Sequence, residues 1–224
     1  MNTNTFIVKC PHCGALKKLG FSINPMMGDY VIWSDCRIEG DGWIEPADTQ
    51  LCPECGKYFI LPRRDTLKVN KEECTETGHL SYQSLKKAIT QLSGNEEAES
   101  RARFEVWCAF NAQYKIDSEV PADEQAYNRA NMQWLIDYYT THSTRFSHIL
   151  FELNRLMGNR EVCEQMIEAL TFEEYVKQTK AYHKDNKLKD YITSDRELME
   201  HRYINEIKEL RFAMEQPLKP YIKI

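Results

Sequence analysis

From Leu80 to the C-terminus the apolar residues of this chain recur every three or four positions; before Leu80 they come in short runs broken by turn residues. The first pattern is that of helices with one buried face, and the second that of short strands. Thr5-Phe6-Ile7-Val8-Lys9, Tyr30-Val31-Ile32-Trp33 and Tyr58-Phe59-Ile60-Leu61 are β-prone runs, each bounded by Gly, Pro or a charge. Seven helices are expected beyond them. The first spans about residues 81–92, with Tyr82, Leu85, Ile89 and Leu92 on one face and Ser93-Gly94 as its stop. The second, about 97–115, carries Phe104, Trp107, Cys108 and Tyr114, and the third follows Pro121 with Met132, Leu135, Ile136 and Tyr139 inward. Thr144 is the expected cap of the fourth, whose Phe146, Ile149, Leu150, Leu153 and Met157 keep the helical period until Gly158-Asn159. So short a break folds the fifth helix, with Cys163, Met166, Ile167 and Leu170, back on the fourth as a hairpin. Thr171-Phe172-Glu173-Glu174 and Ser194-Asp195-Arg196-Glu197 read as capping boxes opening the last two helices, and Pro217 ends the seventh.

Composition sharpens this division. Residues 1–79 hold seven of the 9 glycines, six of the 8 cysteines and two of the 4 tryptophans. The fold class expected is α+β: a small N-terminal β-rich domain over 1–79, then an all-α domain of about seven helices over 80–224. With 42% hydrophobic and 28% charged residues in 224, the chain has the profile of a globular protein, and collagen-like or low-complexity readings fall away. No apolar run approaches the ~20 residues of a bilayer span, and Met1 to Thr5 lead into a strand-like run without a basic-then-apolar leader. The expectation is a cytoplasmic protein without a membrane partner.

Net charge is −5, shared evenly: 9 basic and 11 acidic residues up to Gly78, 20 and 23 beyond. Neither half has the basic excess of a dedicated nucleic-acid binder. Eight cysteines in a reducing compartment call for a use other than disulfides. Cys10-Pro11-His12-Cys13-Gly14 and Cys52-Pro53-Glu54-Cys55-Gly56 supply one for four of them. Two thiolates two residues apart on a tight turn reach one metal ion, and two such turns complete the tetrahedral sulfur set that Zn²⁺ takes in structural sites. Proline sets each turn, and the glycine after the second cysteine accepts the positive φ that turns backbone amides toward sulfur. Lys9 and Lys57 are read as offsetting part of the negative charge. A thioredoxin-like redox pair would open a helix, whereas both pairs here run into glycine. Iron suits the same four sulfurs.

These two knuckles resemble the zinc ribbon, a small β-structure clamped by one metal, over about residues 5–61. The resemblance implies one structural Zn²⁺ per chain on Cys10, Cys13, Cys52 and Cys55. The 38 residues from Gly14 to Leu51 exceed a minimal hairpin and are expected to hold further strands or loops. The other thiols read differently: Cys108 and Cys163 as small core residues, Cys36 as a free thiol beside Arg37, and Cys74 with His79 as two groups too few for a second metal. His12 reads as exposed.

No phosphate loop, His-Glu-x-x-His, nucleophile elbow or dinucleotide fingerprint occurs, so the reading is non-enzymatic, with no catalytic residue assigned. Two functions are weighed. One is a protein-interaction module or adaptor with an unknown protein partner; residues 146–170 resemble a tetratricopeptide-type helical hairpin, without a second copy at that period. The other is nucleic-acid contact through Lys17, Lys18, Lys57, Arg63, Arg64, Lys68 and Lys71, with Trp33, Trp43, Tyr58 and Phe59 as aromatic neighbours.

Overall fold

The structure is a computed structural model and describes residues 3–23, 30–32, 38–40, 43–44, 48–61, 75–76, 80–113, 119–143, 147–185 and 195–216. Cys36, Cys74, His79, Tyr114, Thr144 and Phe146 lie outside these residues, as do the basic residues Arg63, Arg64, Lys68 and Lys71. The fold is α+β. The strands are β1 (Thr3–Lys9), β2 (Leu16–Ile23), β3 (Tyr30–Ile32), β4 (Ile38–Gly40), β5 (Trp43–Ile44), β6 (Thr49–Leu51), β7 (Tyr58–Ile60) and β8 (Thr75–Glu76). The helices are α1 (Tyr82–Leu92), α2 (Glu96–Gln113), α3 (Ala122–His142), α4 (His148–Met157), α5 (Arg160–Ala169), α6 (Phe172–Asp185) and α7 (Arg196–Glu215).

β1 and β2 form a long antiparallel hairpin in the register Val8↔Lys17 and Lys9↔Leu16. β5 joins β2 antiparallel, and β8 pairs with β2 in parallel. β6 and β7 make a second, three-residue hairpin paired Thr49↔Ile60 to Leu51↔Tyr58, and β3 pairs with β4. The segment between the two cysteine pairs therefore contains strands, as its length implied.

The described residues divide into two compact units, one running to Asn131 and the other from Met132 onward. The composition boundary at 79 marks where strands give way to helices. Compactness follows different lines, because α1 and α2 pack on β7 and α2 also on β6. Side chains of these helices hold the small hairpin's backbone: the Thr49 amide donates to both carboxylate oxygens of Glu105 at 3.1 and 3.2 Å, and the Tyr58 amide donates to Gln91 Oε1 at 3.2 Å. A three-residue strand has few ladder bonds of its own, so each amide met by a helix side chain counts.

Within the first unit, Tyr82, Leu85 and Ile89 of α1 bury against Ala102 and Val106 of α2, with Leu92, Phe110 and Tyr127 at the margin. The start of α3 is tied on by polar contacts. Glu124 accepts from Tyr82 Oη at 2.7 Å and from Lys86 Nζ at 3.0 Å, while the same ammonium lies 4.1 Å from the Tyr127 ring centroid. Tyr82 and Lys86 hold the Glu124 carboxyl below its ordinary range. Asn131 donates to the Arg103 carbonyl at 3.0 Å and accepts from the Arg103 guanidinium at 3.2 Å.

In the second unit, Phe151 of α4, Cys163 and Ile167 of α5, Leu170, and Leu210 and Ala213 of α7 form the core, with Tyr175 of α6 and Tyr203 of α7 packed against it. Gly158, at φ +80°, is the left-handed C-cap of α4 and lets α5 begin at Arg160, giving the expected hairpin. α4 has no solvent face over residues 151–156. Glu152 and Arg155 are buried there as an ion pair, with two contacts of 2.7 Å.

Helix starts follow a common chemistry with shifted positions. Ser81 caps α1 by accepting from Ser84, and Thr171 caps α6 by accepting from Glu174. Ser147, rather than Thr144, caps α4; it stands next to the first helical residue and accepts from the Leu150 amide at 3.2 Å. Asp195, rather than Ser194, caps α7, and its carboxylate accepts from the Leu198 amide at 3.1 Å. A carboxylate also meets the positive end of the helix dipole, which a hydroxyl does less well. Glu174 does not complete its capping box; its oxygens turn to Lys177 and Gln178.

Two outcomes test this packing. Burial, with Asp48 nearby, raises the Glu105 carboxyl above its ordinary 4.5 despite the Thr49 amide. The folded chain thus holds this proton more tightly than the unfolded chain, and stability from this group is lost as pH rises through the raised value. Glu105→Gln, which keeps an acceptor for Thr49, should be more stable than wild type at pH 7. Urea denaturation at stepped pH should show that advantage closing below about 4.5. In α4, Arg155→Leu removes the guanidinium from the buried Glu152 carboxylate and should cost about 3–5 kcal/mol, with Glu152→Leu added to it regaining more than half.

Candidate metal centre

The two knuckles are copies of one backbone turn. Gly14 N donates to Cys10 O at 2.9 Å and Cys10 N to Ala15 O at 2.8 Å; Gly56 N donates to Cys52 O at 2.9 Å and Cys52 N to Lys57 O at 3.0 Å. Gly14 at φ +79° and Gly56 at φ +67° occupy the left-handed region, the conformation that the repeated Cys-x-x-Cys-Gly pattern calls for. One knuckle closes the β1–β2 hairpin and the other the β6–β7 hairpin. Val8, Cys10, Leu19, Cys52, Phe59 and Leu61 bury together between the hairpins, with Ala15 and Cys55 at the edge.

This packing sets the turns face to face. The four Sγ atoms of Cys10, Cys13, Cys52 and Cys55 all lie within 4.8 Å of one another. Across the knuckles, Cys10 and Cys55 stand 3.9 Å apart and Cys13 and Cys52 3.6 Å. Four sulfurs about 2.3 Å from a common tetrahedral centre would be about 3.8 Å apart, so the set can hold one metal ion. The His12 amide points at Cys10 Sγ from 3.4 Å. The first cysteine of each pair is buried, whereas Cys13 is exposed and Cys55 half-buried.

Without a cation these thiols compete for charge. At Cys52 burial opposes ionisation, but the amides of Cys55 and Glu54 and the Cys13 and Cys55 thiols outweigh it and bring the thiol down to about 7. At Cys13 the Ala15 backbone contact favours the thiolate, yet desolvation and the three neighbouring thiols push it up to about 12. The four thiols therefore titrate as one interacting set.

Lys17 is the residue of this site that sequence reasoning placed wrongly. It is 0% exposed, sharing the inner face of β2 with Leu19. Its Nζ donates to the Leu51 carbonyl and to Gln50 Oε1, at 3.4 Å in the second case, and lies 5.3 Å from the Phe59 ring centroid. Burial pushes its ammonium below the usual lysine range, while Cys52 and Cys10 pull it the other way. Lys9 and Lys57, the cations expected to offset the site's charge, are exposed. The signal for Lys17 was the two-residue spacing from Leu19, which puts both side chains on one face.

Other expectations fare as follows. His12 is exposed, with its ring Nε2 3.2 Å from the Tyr58 carbonyl. Cys163 is buried, its thiol raised to about 11 by burial and 3.6 Å from the Phe151 carbonyl; Cys108 is half-buried. Of the residues read as nucleic-acid contacts, Lys17, Tyr58 and Phe59 are withdrawn into the core and offer neither charge nor ring face to a polymer. Among the described residues, no helix is long and apolar enough to cross a membrane.

Comparison with protein-family models, with curated proteins and with solved structures finds no match to this chain.

Because Cys10 and Cys52 belong to the same core as β6 and β7, and those strands are held by Gln91 of α1 and Glu105 of α2, losing a ligand should be felt in the helices. Cys10→Ser should lower amide-exchange protection in β1, β2, β6, β7, α1 and α2 together while leaving α4 to α7 protected, as read by hydrogen-exchange mass spectrometry.

Proposed function

We propose that this chain is a non-enzymatic zinc-binding protein: one structural Zn²⁺ on Cys10, Cys13, Cys52 and Cys55 holds a zinc ribbon, and the helices serve a protein partner as an interaction or adaptor module. The observation that carries the metal half is the convergence of two matching turns that brings four sulfurs within 4.8 Å of one another. Four protein thiolates leave no coordination position for water or substrate, the arrangement of structural and not catalytic zinc. Binding free energy on the order of 10 kcal/mol or more would then replace the apolar core that three-residue strands do not supply. Closed sets of four thiolates are the usual setting of structural zinc, and the same tetrahedral geometry also admits iron.

The interaction half rests on where apolar surface is left. The large apolar side chains exposed among the described residues are Val162, Tyr182, Leu198, Ile204 and Phe212, all on α5, α6 and α7. These five side chains supply apolar contacts that a protein partner would cover.

Elemental analysis of freshly purified protein should give about one zinc per chain, and protein free of metal would overturn the metal reading. Ile204→Asp with Phe212→Asp should abolish co-purification of a native partner while zinc content and helicity stay as in wild type. A salt-dependent gel shift with single-stranded RNA or DNA, lost in neither variant, would instead favour nucleic-acid contact.

A further inference from the structure

Lys17 is a buried ammonium with a single kind of company. Its partners among the described residues are the Leu51 carbonyl, the Gln50 amide oxygen and the face of the Phe59 ring, all formally neutral. Burying an unpaired cation is strongly unfavourable, and a carbonyl, an amide and a ring soften that without cancelling the charge. Among the described residues, the negative charges that act on it are those of Cys52 and Cys10: Leu51 directly precedes Cys52, and Phe59 lies in the cluster that contains both cysteines. Four thiolates on a divalent ion leave a net charge of −2, and the charges of the exposed Lys9 and Lys57 are screened by solvent where that of Lys17 is not. The excess cation and the excess anion account for each other.

We propose that Lys17 is the fixed counter-charge of the four-cysteine centre and biases it toward divalent over trivalent metal. The inference rests on the metal reading above and goes beyond it. With a divalent ion the thiolate set and Lys17 sum to −1, with a trivalent ion to zero. A fixed positive charge stabilises the −2 complex twice as much as the −1 complex, in a setting where water screens little. Lys17 therefore favours Zn²⁺ over the protonated empty site and favours Fe²⁺ over Fe³⁺ where iron is loaded. It is a positioning charge, touching the carbonyl before Cys52 and no metal.

The test uses the full chain with Lys17→Met, which keeps the length of the side chain, and Lys17→Gln, which keeps a donor without charge. Zinc affinity by chelator competition should fall about tenfold or more in both. In iron-substituted protein the Fe³⁺/Fe²⁺ potential should drop, a tenfold change in relative affinity corresponding to about 59 mV for one electron. A packing role alone would leave that potential in place, so iron-loaded variants with the wild-type potential would overturn the proposal. A variant that folds only at raised zinc reports the same loss of affinity, and one that stays unfolded at saturating zinc would make Lys17 a purely structural residue and overturn it too. Wild-type chain that takes up neither metal would instead overturn the metal reading itself.

Discussion

The N-terminal part of this protein depends on bringing two turns together across the chain: Cys13 must meet Cys52 over a separation of 39 residues and Cys10 must meet Cys55 over 45. Closing such loops costs conformational entropy that grows slowly with length but is never small, and the hairpin that carries the second turn has only three residues per strand. The apolar cluster between the hairpins is correspondingly modest, built from Val8, Leu19, Phe59, Leu61 and two of the cysteines themselves. Sulfurs that belong to the core couple the geometry of the turns to the packing. A shift at either knuckle moves both.

That coupling extends into the first helices. α1 and α2 do not simply follow the strands; Gln91 and Glu105 take up backbone amides of β7 and β6 that such short strands leave unpaired. The helices in turn bury Ala102 and Val106 against Tyr82, Leu85 and Ile89. The second unit is stabilised in another way, around a helix whose buried Glu152–Arg155 pair places ionic geometry inside an apolar surround. The attraction within such a pair is offset by the cost of taking both charges out of water.

Much of this was legible in the sequence for identifiable reasons. Helical periodicity located α1 to α7 because most of them turn an apolar face to a neighbour, and the repeated Cys-Pro-x-Cys-Gly pattern located the sulfurs because the turn is local. Caps were misplaced by one to three residues, as at Asp195 and Ser147, since the backbone and not the residue type decides which residue precedes the first turn. Lys17 was misread because a lysine in a sequence looks like surface until the strand register puts it inward beside Leu19. The division into compact units was hidden for a similar reason: composition reports what the elements are, and which element leans on which depends on contacts such as Thr49 to Glu105 that no local pattern encodes.

The unequal burial of the four cysteines gives the centre a direction. Cys10 and Cys52 are rooted in the core, Cys55 is half-buried at its edge, and Cys13 is exposed. Any ion held between them has one wet side. Incoming and departing ligands must approach along it, so exchange would proceed by releasing the outer sulfurs first, with the inner two as the last hold. A competing thiol or chelator would meet the same ordered path, and the lifetime of the bound ion would be governed by the two cysteines that are easiest to reach.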